Sequence, residues 1–217
     1  MTVVPTHGAA LADVKPSFAS IFTVPVGAVR IGREATHEAP AREALLDRAF
    51  GAGRHTKTSA RMRVGRLPAN GLSLVARDGD SGRLLGTVRL WDVALGGAAG
   101  EGDGRAALML GPLAVDREAQ GFGIGTKLMR FAIAEAAFRG AAAIILVGDP
   151  GYYASFGFTS ALTADLRLPG PVEQHRFLGL ELRPGTLGQA RGLVRPTGAM
   201  ARVGAGSAEH TASGAAA

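Results

Sequence analysis

Along this chain the spacing of apolar side chains changes character several times, and each change marks a new element. Residues 72–77 and 84–91 are dense in Leu and Val. Between them stands Asp78-Gly79-Asp80-Ser81-Gly82, so two strands joined as a hairpin are expected. Residues 108–115 are apolar throughout, as suits a central strand buried on both faces. A helical stretch follows over 121–139, and a second apolar run at 142–147 is expected as another buried strand. Upstream, a short strand is expected at 28–31. Pro40 then opens a helix to Phe50 whose stripe is Leu45, Leu46 and Ala49. Residues 51–66 are expected as a loop or short helix, 96–104 as a glycine-rich loop, and 148–183 as short helical and strand pieces. Strands joined first by a hairpin and later through a helix imply a mixed sheet. The fold class is therefore α/β, in the α+β sense of a mixed sheet flanked by helices.

The 121–139 helix carries two apolar stripes, Ile124, Leu128, Phe131 and Phe138 on one side and Met129, Ile133, Ala136 and Ala137 on another. Such a helix is expected between two layers, with its N-terminus at the edge of a rigid core.

Composition narrows the class. Hydrophobic residues make up 47% of the 217-residue chain and charged residues 19%, enough apolar side chains for a core and too few charges for a disordered polyampholyte. No apolar run reaches the ~18 residues that cross a bilayer, and the first ten residues do not read as a secretory signal. The default compartment is the cytoplasm, and no membrane partner is expected. Cysteine is absent, which excludes disulfides, thiolate metal sites and a cysteine nucleophile. No metal is expected. Residues 1–27 are expected as a flexible N-terminal extension with a short ordered stretch near 18–24, and 203–217, rich in Gly, Ala and Ser, as a disordered tail.

The formal charge is +6, and only three of the 24 basic residues are lysines. Such a surface suits a polyanionic ligand, whether a nucleotide or nucleic acid. Arg54, Lys57, Arg61, Arg63 and Arg66 form a basic cluster with no acid between Gly51 and Arg77. It lacks the interleaved aromatics of a stacking platform, which argues against nucleic acid.

The most specific signal lies where the 108–115 strand ends and Gln120-Gly121-Phe122-Gly123-Ile124-Gly125-Thr126 opens the helix. Glycines there let the backbone approach a ligand and take positive φ. The free amides of the first helical turn, with the helix dipole, then favour a phosphate or pyrophosphate. A dinucleotide fingerprint does not fit, because Thr126 occupies the third glycine position and Ala141 and Ala142 stand where an acid is needed. A P-loop does not fit either, since Gly125-Thr126-Lys127 has the wrong order.

Gln120-x-x-Gly123-x-Gly125 resembles the Gln/Arg-x-x-Gly-x-Gly/Ala signature of the GNAT acyltransferases, preceded by Leu113-Ala114-Val115-Asp116 at the strand end. Further on, Gly148-Asp149-Pro150-Gly151-Tyr152-Tyr153-Ala154-Ser155-Phe156-Gly157-Phe158 resembles that family's Tyr-x-x-x-Gly-Phe block. Its Gly-Asp-Pro opening is similar to the YhbS-like branch of predicted acetyltransferases. The resemblance spans roughly residues 29–195 and implies one GNAT domain over 28–202. It also implies a mixed sheet splayed between its fourth and fifth strands, 108–115 and 142–147. Acetyl-CoA is implied as co-substrate, with a primary amine on a small molecule or protein as acceptor. Backbone groups of Leu113 and Val115 would pair with the pantetheine arm, and Gly111-Pro112 suits such an edge or bulge. Gln120, Gly121, Phe122, Gly123, Ile124, Gly125 and Thr126 would hold the pyrophosphate, and the amide of Leu113 or Ala114 would polarise the thioester carbonyl.

The implied chemistry is direct attack of a neutral amine on the thioester. Tyr153 aligns with the family's tyrosine near the sulfur. With a reference pKa of ~10 against a thiol's ~8.5, full proton transfer is uphill by about 2 kcal/mol, so a hydrogen bond to the developing thiolate is expected. Tyr152 is expected to pack. Asp92, Glu38, Asp47 and His175 are the candidate bases for the amine, none singled out, and water or an already neutral amine would also serve. A non-catalytic acyl-CoA-binding regulatory module is the alternative, and an RNA-linked acetyltransferase rests on charge alone. A homodimer is compatible with everything above.

Overall fold

Turn chemistry sets the first half of the sheet. The Asp78 carboxylate accepts from the Ser81 amide (2.8 Å) and the Asp80 amide (3.2 Å), which closes the hairpin between β3, Ser73–Arg77, and β4, Leu84–Leu95. The computed structural model describes residues 23–24, 28–96 and 104–201. The expected N-terminal extension, apart from Thr23 and Val24, lies outside these residues, as do the expected tail and most of the 96–104 loop.

Six further strands join that hairpin in one mixed sheet. Strands β1, Thr23–Val24, and β2, Val29–Arg33, lead into α1, Ala39–Phe50, and the short α2, Thr58–Arg61. After the hairpin come β5, Arg105–Val115, α3, Ile124–Phe138, β6, Ala143–Val147, and the four-residue α4, Pro150–Tyr153. The chain closes with β7, Leu166–Arg167, β8, Phe177–Glu181, β9, Gly192–Leu193, and β10, Arg195–Pro196. The sheet order is β1-β2-β3-β4-β5-β6-β8, with β10 on β4 beyond the end of β3, and β7 pairs β9 separately. Every main-sheet pairing is antiparallel except β5 with β6.

Strand parity divides the core. Leu108, Leu110, Ile144 and Leu146 face α3, whereas Ala107, Met109, Ala143 and Ile145 face the opposite layer with Leu166, Phe177 and Val194. Helix α1 lies on that second face and sets Leu45 and Leu46 against Val75, Leu84 and Ala114. Burying those two leucines contributes about 3–6 kcal/mol.

The α3 helix departs from expectation in two respects. It buries a single stripe, Ile124, Leu128, Met129, Ala132 and Ala136, while Phe138 is 63% exposed. Because α1 and the second core cluster occupy the other face of the sheet, no described layer covers the outer side of α3. The helix also begins at Ile124 rather than Gly121, since Gly123 sits in the left-handed region at φ 72°. On the sheet side, Gly86 lets α3 approach closely: a Cβ there would stand 2.9 Å from Leu128 Cδ1.

Candidate active site

The sheet opens where the two apolar strands diverge. Strands β5 and β6 pair only at Leu108 with Ile144 and Met109 with Ile145. Beyond Met109 they part, so the β6-facing edge of β5 is left without a described strand as neighbour. On its other side β5 stays on β4 as far as Val115. The Asp116 amide donates to the Leu85 carbonyl (2.8 Å), and antiparallel alternation then turns the backbone groups of Ala114 toward β4. Those of Leu113 and Val115 are left facing the gap. The register shift between Val88 and Leu90 sets Gly111 and Pro112 opposite a single residue, Arg89, which is a bulge. The Gly111 carbonyl accepts from Trp91 Nε1 (2.6 Å).

Past Val115 the chain turns tightly. Asp116 caps the turn by accepting from the Glu118 amide (3.2 Å) and is itself held by Arg48 (2.9 Å). Gln120 Nε2 reaches back to the Val115 carbonyl (3.3 Å). Gly121 and Gly123 have φ of 85° and 72°, and a Cβ on either would meet nothing within 4 Å. Their backbones are therefore open to whatever approaches. None of the amides of residues 121–126 donates to another described residue, and the first outward helical bond is Lys127 N–H to the Gly123 carbonyl (3.0 Å). The result is a row of free donors at the positive end of a 15-residue helix.

A cleft of about 500 Å³ lies beside the gap. Glu43, Leu46 and Phe50 of α1 form one wall, Arg89 and Trp91 of β4 with 109–113 of β5 the floor, and 147–149 with Tyr152 and Tyr153 the far side. Tyr153 enters from α4, whose N-cap Asp149 accepts from the Gly151 amide (3.1 Å). Its ring meets Tyr152 edge-on at 4.9 Å and Phe158 at 5.9 Å, while its hydroxyl bonds to no described residue. Burial, with smaller contributions from Tyr152 and Asp149, pushes its pKa up to about 12. Tyr152 turns the other way. Its hydroxyl reaches the glycine-rich turn, 2.9 Å from where a Cβ on Gly125 would stand and beside the Thr126 hydroxyl.

The candidate bases are not brought to this cleft. Asp92 is exposed and lines a separate cavity at the start of β5 and β6. Glu38 is paired with Arg77, and Asp47 with Arg54 (2.7 Å). His175 is 70% exposed beside Glu173. The carboxylate that does line the cleft near α1 is Glu43. Burial alone would raise it, but hydrogen bonds from Arg42 and Arg54 outweigh that and hold it below the usual carboxylate range. Of the basic cluster, Arg54, Lys57 and Arg63 line the cleft, while Arg61 and Arg66 do not.

Sequence reasoning passed over Glu43, Arg89 and Trp91 as site residues. One signal was available: Arg89 interrupts the apolar run of β4 and shares a face with Trp91 two residues on. Only the fold shows that this face looks into a cleft.

Comparisons with known proteins bear on the family and the fold. Residues 69–160 match the family model described as an acetyltransferase (GNAT) domain. The N-acetyltransferase YhbS of Escherichia coli K12 is 32% identical over 157 residues, spanning 72% of this chain and 89% of the relative. The crystal structure of E. coli YhbS in complex with CoA superposes with a TM-score of 0.67 at 31% identity, covering 82% of this chain and 94% of that one. A GNAT acetyltransferase from Brucella melitensis in complex with acetyl-CoA gives 0.58 at 26% identity, covering 78% and 96%.

Proposed function

The chain belongs to the GNAT acetyltransferase family and is an acyltransferase; from that premise we propose that it moves an acetyl group from acetyl-CoA to a primary amine by direct attack. The observation that carries this reading is the pairing of two backbone features. A row of free amides at residues 121–126 lies next to a strand edge exposed by the parting of β5 and β6. The relatives that superpose on this chain are complexes with CoA and acetyl-CoA, which supports the same donor here.

Each part then has a task. The amides of Gly121, Phe122, Gly123, Ile124, Gly125 and Thr126 take the pyrophosphate, with Gln120 bracing the turn. The outward backbone groups of Leu113 and Val115 pair with the pantetheine amides. The Leu113 amide, rather than that of Ala114, polarises the thioester carbonyl, because Ala114 is committed to β4. Attack by the amine nitrogen on the carbonyl carbon forms the C–N bond, and collapse of the tetrahedral species breaks the C–S bond. Tyr153 donates a hydrogen bond to the departing sulfur. Against a pKa of about 12, passing its proton to a thiolate of ~8.5 would be uphill by about 5 kcal/mol, so the tyrosine stays protonated and stabilises charge. The CoA thiol draws its proton from solvent or from the amine. Glu43, held ionised by two arginines, is too weak a base for an alkylammonium, so the acceptor enters as the free amine.

Calorimetry with CoA and acetyl-CoA, followed by thiol release over a panel of amines, tests the proposal. Micromolar uptake and amine-dependent release are expected. Absence of uptake by folded protein overturns it, and tight binding without release reduces the chain to a binding module.

A further inference from the structure

Among the described residues, the acceptor cleft holds one partly buried cation that makes neither an ion pair nor a hydrogen bond. Five basic side chains line it, Arg54, Lys57, Arg63, Arg89 and Arg176, against two acids, Glu43 and Asp149. The acids are already engaged, Glu43 by Arg42 and Arg54 and Asp149 by the start of α4. Arg89 is matched by Glu34 (3.4 Å) and Ser73 (2.8 Å), Arg176 reaches the Gly148 carbonyl (3.3 Å), and Lys57 is exposed to solvent over the Phe50 ring (5.5 Å). Arg63 differs. It is partly buried, and its guanidinium makes no hydrogen bond or ion pair to any described residue.

Its surroundings are those of a half-built anion site. Trp91 lies beneath both guanidiniums, Arg89 at 5.3 Å and Arg63 at 6.0 Å from the ring centroid. An aromatic face orients such planar cations and leaves their N–H edges free. One Arg63 Nη stands 3.6 Å from the Cβ position of Gly111, at the bulge on the cleft floor. Burial, reinforced by the neighbouring Arg89 and Arg54 charges and only partly opposed by Glu43, pulls the Arg63 pKa down to about 10.

That counter-charge is not expected from the CoA phosphates. None of residues 120–126 lines this cleft. Gly111 also lies four residues upstream of Val115, roughly 13 Å back along the strand.

We propose that Arg63, steadied over Trp91 beside Arg89, is the recognition group for an anionic substituent on the acceptor, so that the amine substrate also carries a carboxylate or a phosphate. The inference rests on the acetyl-transfer reading of this cleft and names the acceptor's chemistry. Planar bidentate pairing favours a carboxylate, as in an amino acid or a peptide terminus. An Arg63 pair formed inside a partly desolvated cleft discriminates strongly against a neutral analogue, since the isostere leaves the guanidinium unpaired.

Trp91 is the chain's single tryptophan and so reports directly on this site. The full chain, with and without CoA, is titrated with N-acetyl ω-amino acids of two to six carbons, with matching N-acetylaminoalkyl phosphonates and with the neutral amides. At least one anion should bind about tenfold or more tightly than its amide, quench or shift the Trp91 emission, and lose that advantage in Arg63→Met. Arg63→Lys should recover part of it, which separates lost recognition from lost folding. Preference between the carboxylate and phosphonate arms identifies the anion's source. Equal affinity for anions and amides throughout the series, or a preference that survives Arg63→Met, overturns the proposal. CoA uptake is measured separately by calorimetry. Its absence would sink the acetyl-transfer reading while leaving the anion titration to be judged alone.

Discussion

A Cβ on Gly148 would stand 2.1 Å from Cε2 of Tyr153, so the ring proposed to act on the departing sulfur rests on a residue that has no side chain. Glycine is required here by space, because Gly148 is buried at the end of β6 and the ring packs directly across it.

Gly148→Ala must therefore displace Tyr153. Overpacking of this kind costs about 1–3 kcal/mol. Denaturant unfolding should show that loss, and kcat should fall about as far as in Tyr153→Phe. A variant of full activity and unchanged stability would show that the ring is not seated as described.

Tyr153→Phe should lower kcat about 10- to 100-fold, the worth of one hydrogen bond to a charged leaving group, with KM for acetyl-CoA nearly unchanged. The pH profile follows from its raised pKa. A phenol pushed up to about 12 keeps its proton across the assay range, so the rate should climb with pH as the amine deprotonates and show no tyrosine-dependent fall below about pH 10. A descending limb near pH 9 that vanishes in Tyr153→Phe would contradict this assignment.

Gly125 and Tyr152 form a second close pair, with 2.9 Å between the would-be Cβ and the phenolic oxygen. Gly125→Ala should raise the KM for acetyl-CoA several-fold by pressing on the turn. Because the offending atom is the hydroxyl, Tyr152→Phe in the same chain should restore part of the loss. Strict additivity of the two changes would deny the contact.

Away from the site, the Glu34 side chain is only 5% exposed and accepts from Arg42 and Ser73 while facing Arg89. Removing it strands buried guanidinium charge, so Glu34→Ala should destabilise by about 3–5 kcal/mol. Thermal or denaturant unfolding would reveal a smaller effect if water compensates the arginines. The expected drop in stability should leave the CoA affinity of the folded fraction unchanged.

Much of the frame was legible from local pattern. Continuous apolar runs at 108–115 and 142–147 announced strands buried on both faces, and Asp78 to Gly82 announced a hairpin; all three stand in the fold. The glycine-rich turn was equally legible, because positive φ at Gly121 and Gly123 is a demand written into residue type. The outer face of α3 misled, since two apolar stripes look alike along a chain whether or not a second layer exists to cover both. The bases misled for a related reason. Glu38 and Asp47 are free carboxylates in sequence, and only folding brings Arg77 and Arg54 against them.

What the sequence determined by itself was periodic or local: the strands, the α3 helix, the turn whose glycines free a row of amides, and the tyrosine that follows β6. Tertiary structure alone decided which charges are cancelled and which are left over. Arg54 and Arg63 sit nine residues apart in one basic cluster, yet one is spent on Asp47 and Glu43 while the other lies over an indole face with no ion pair to any described residue. Pairing falls off over a few ångströms, and those distances are set by strands and helices far apart along the chain.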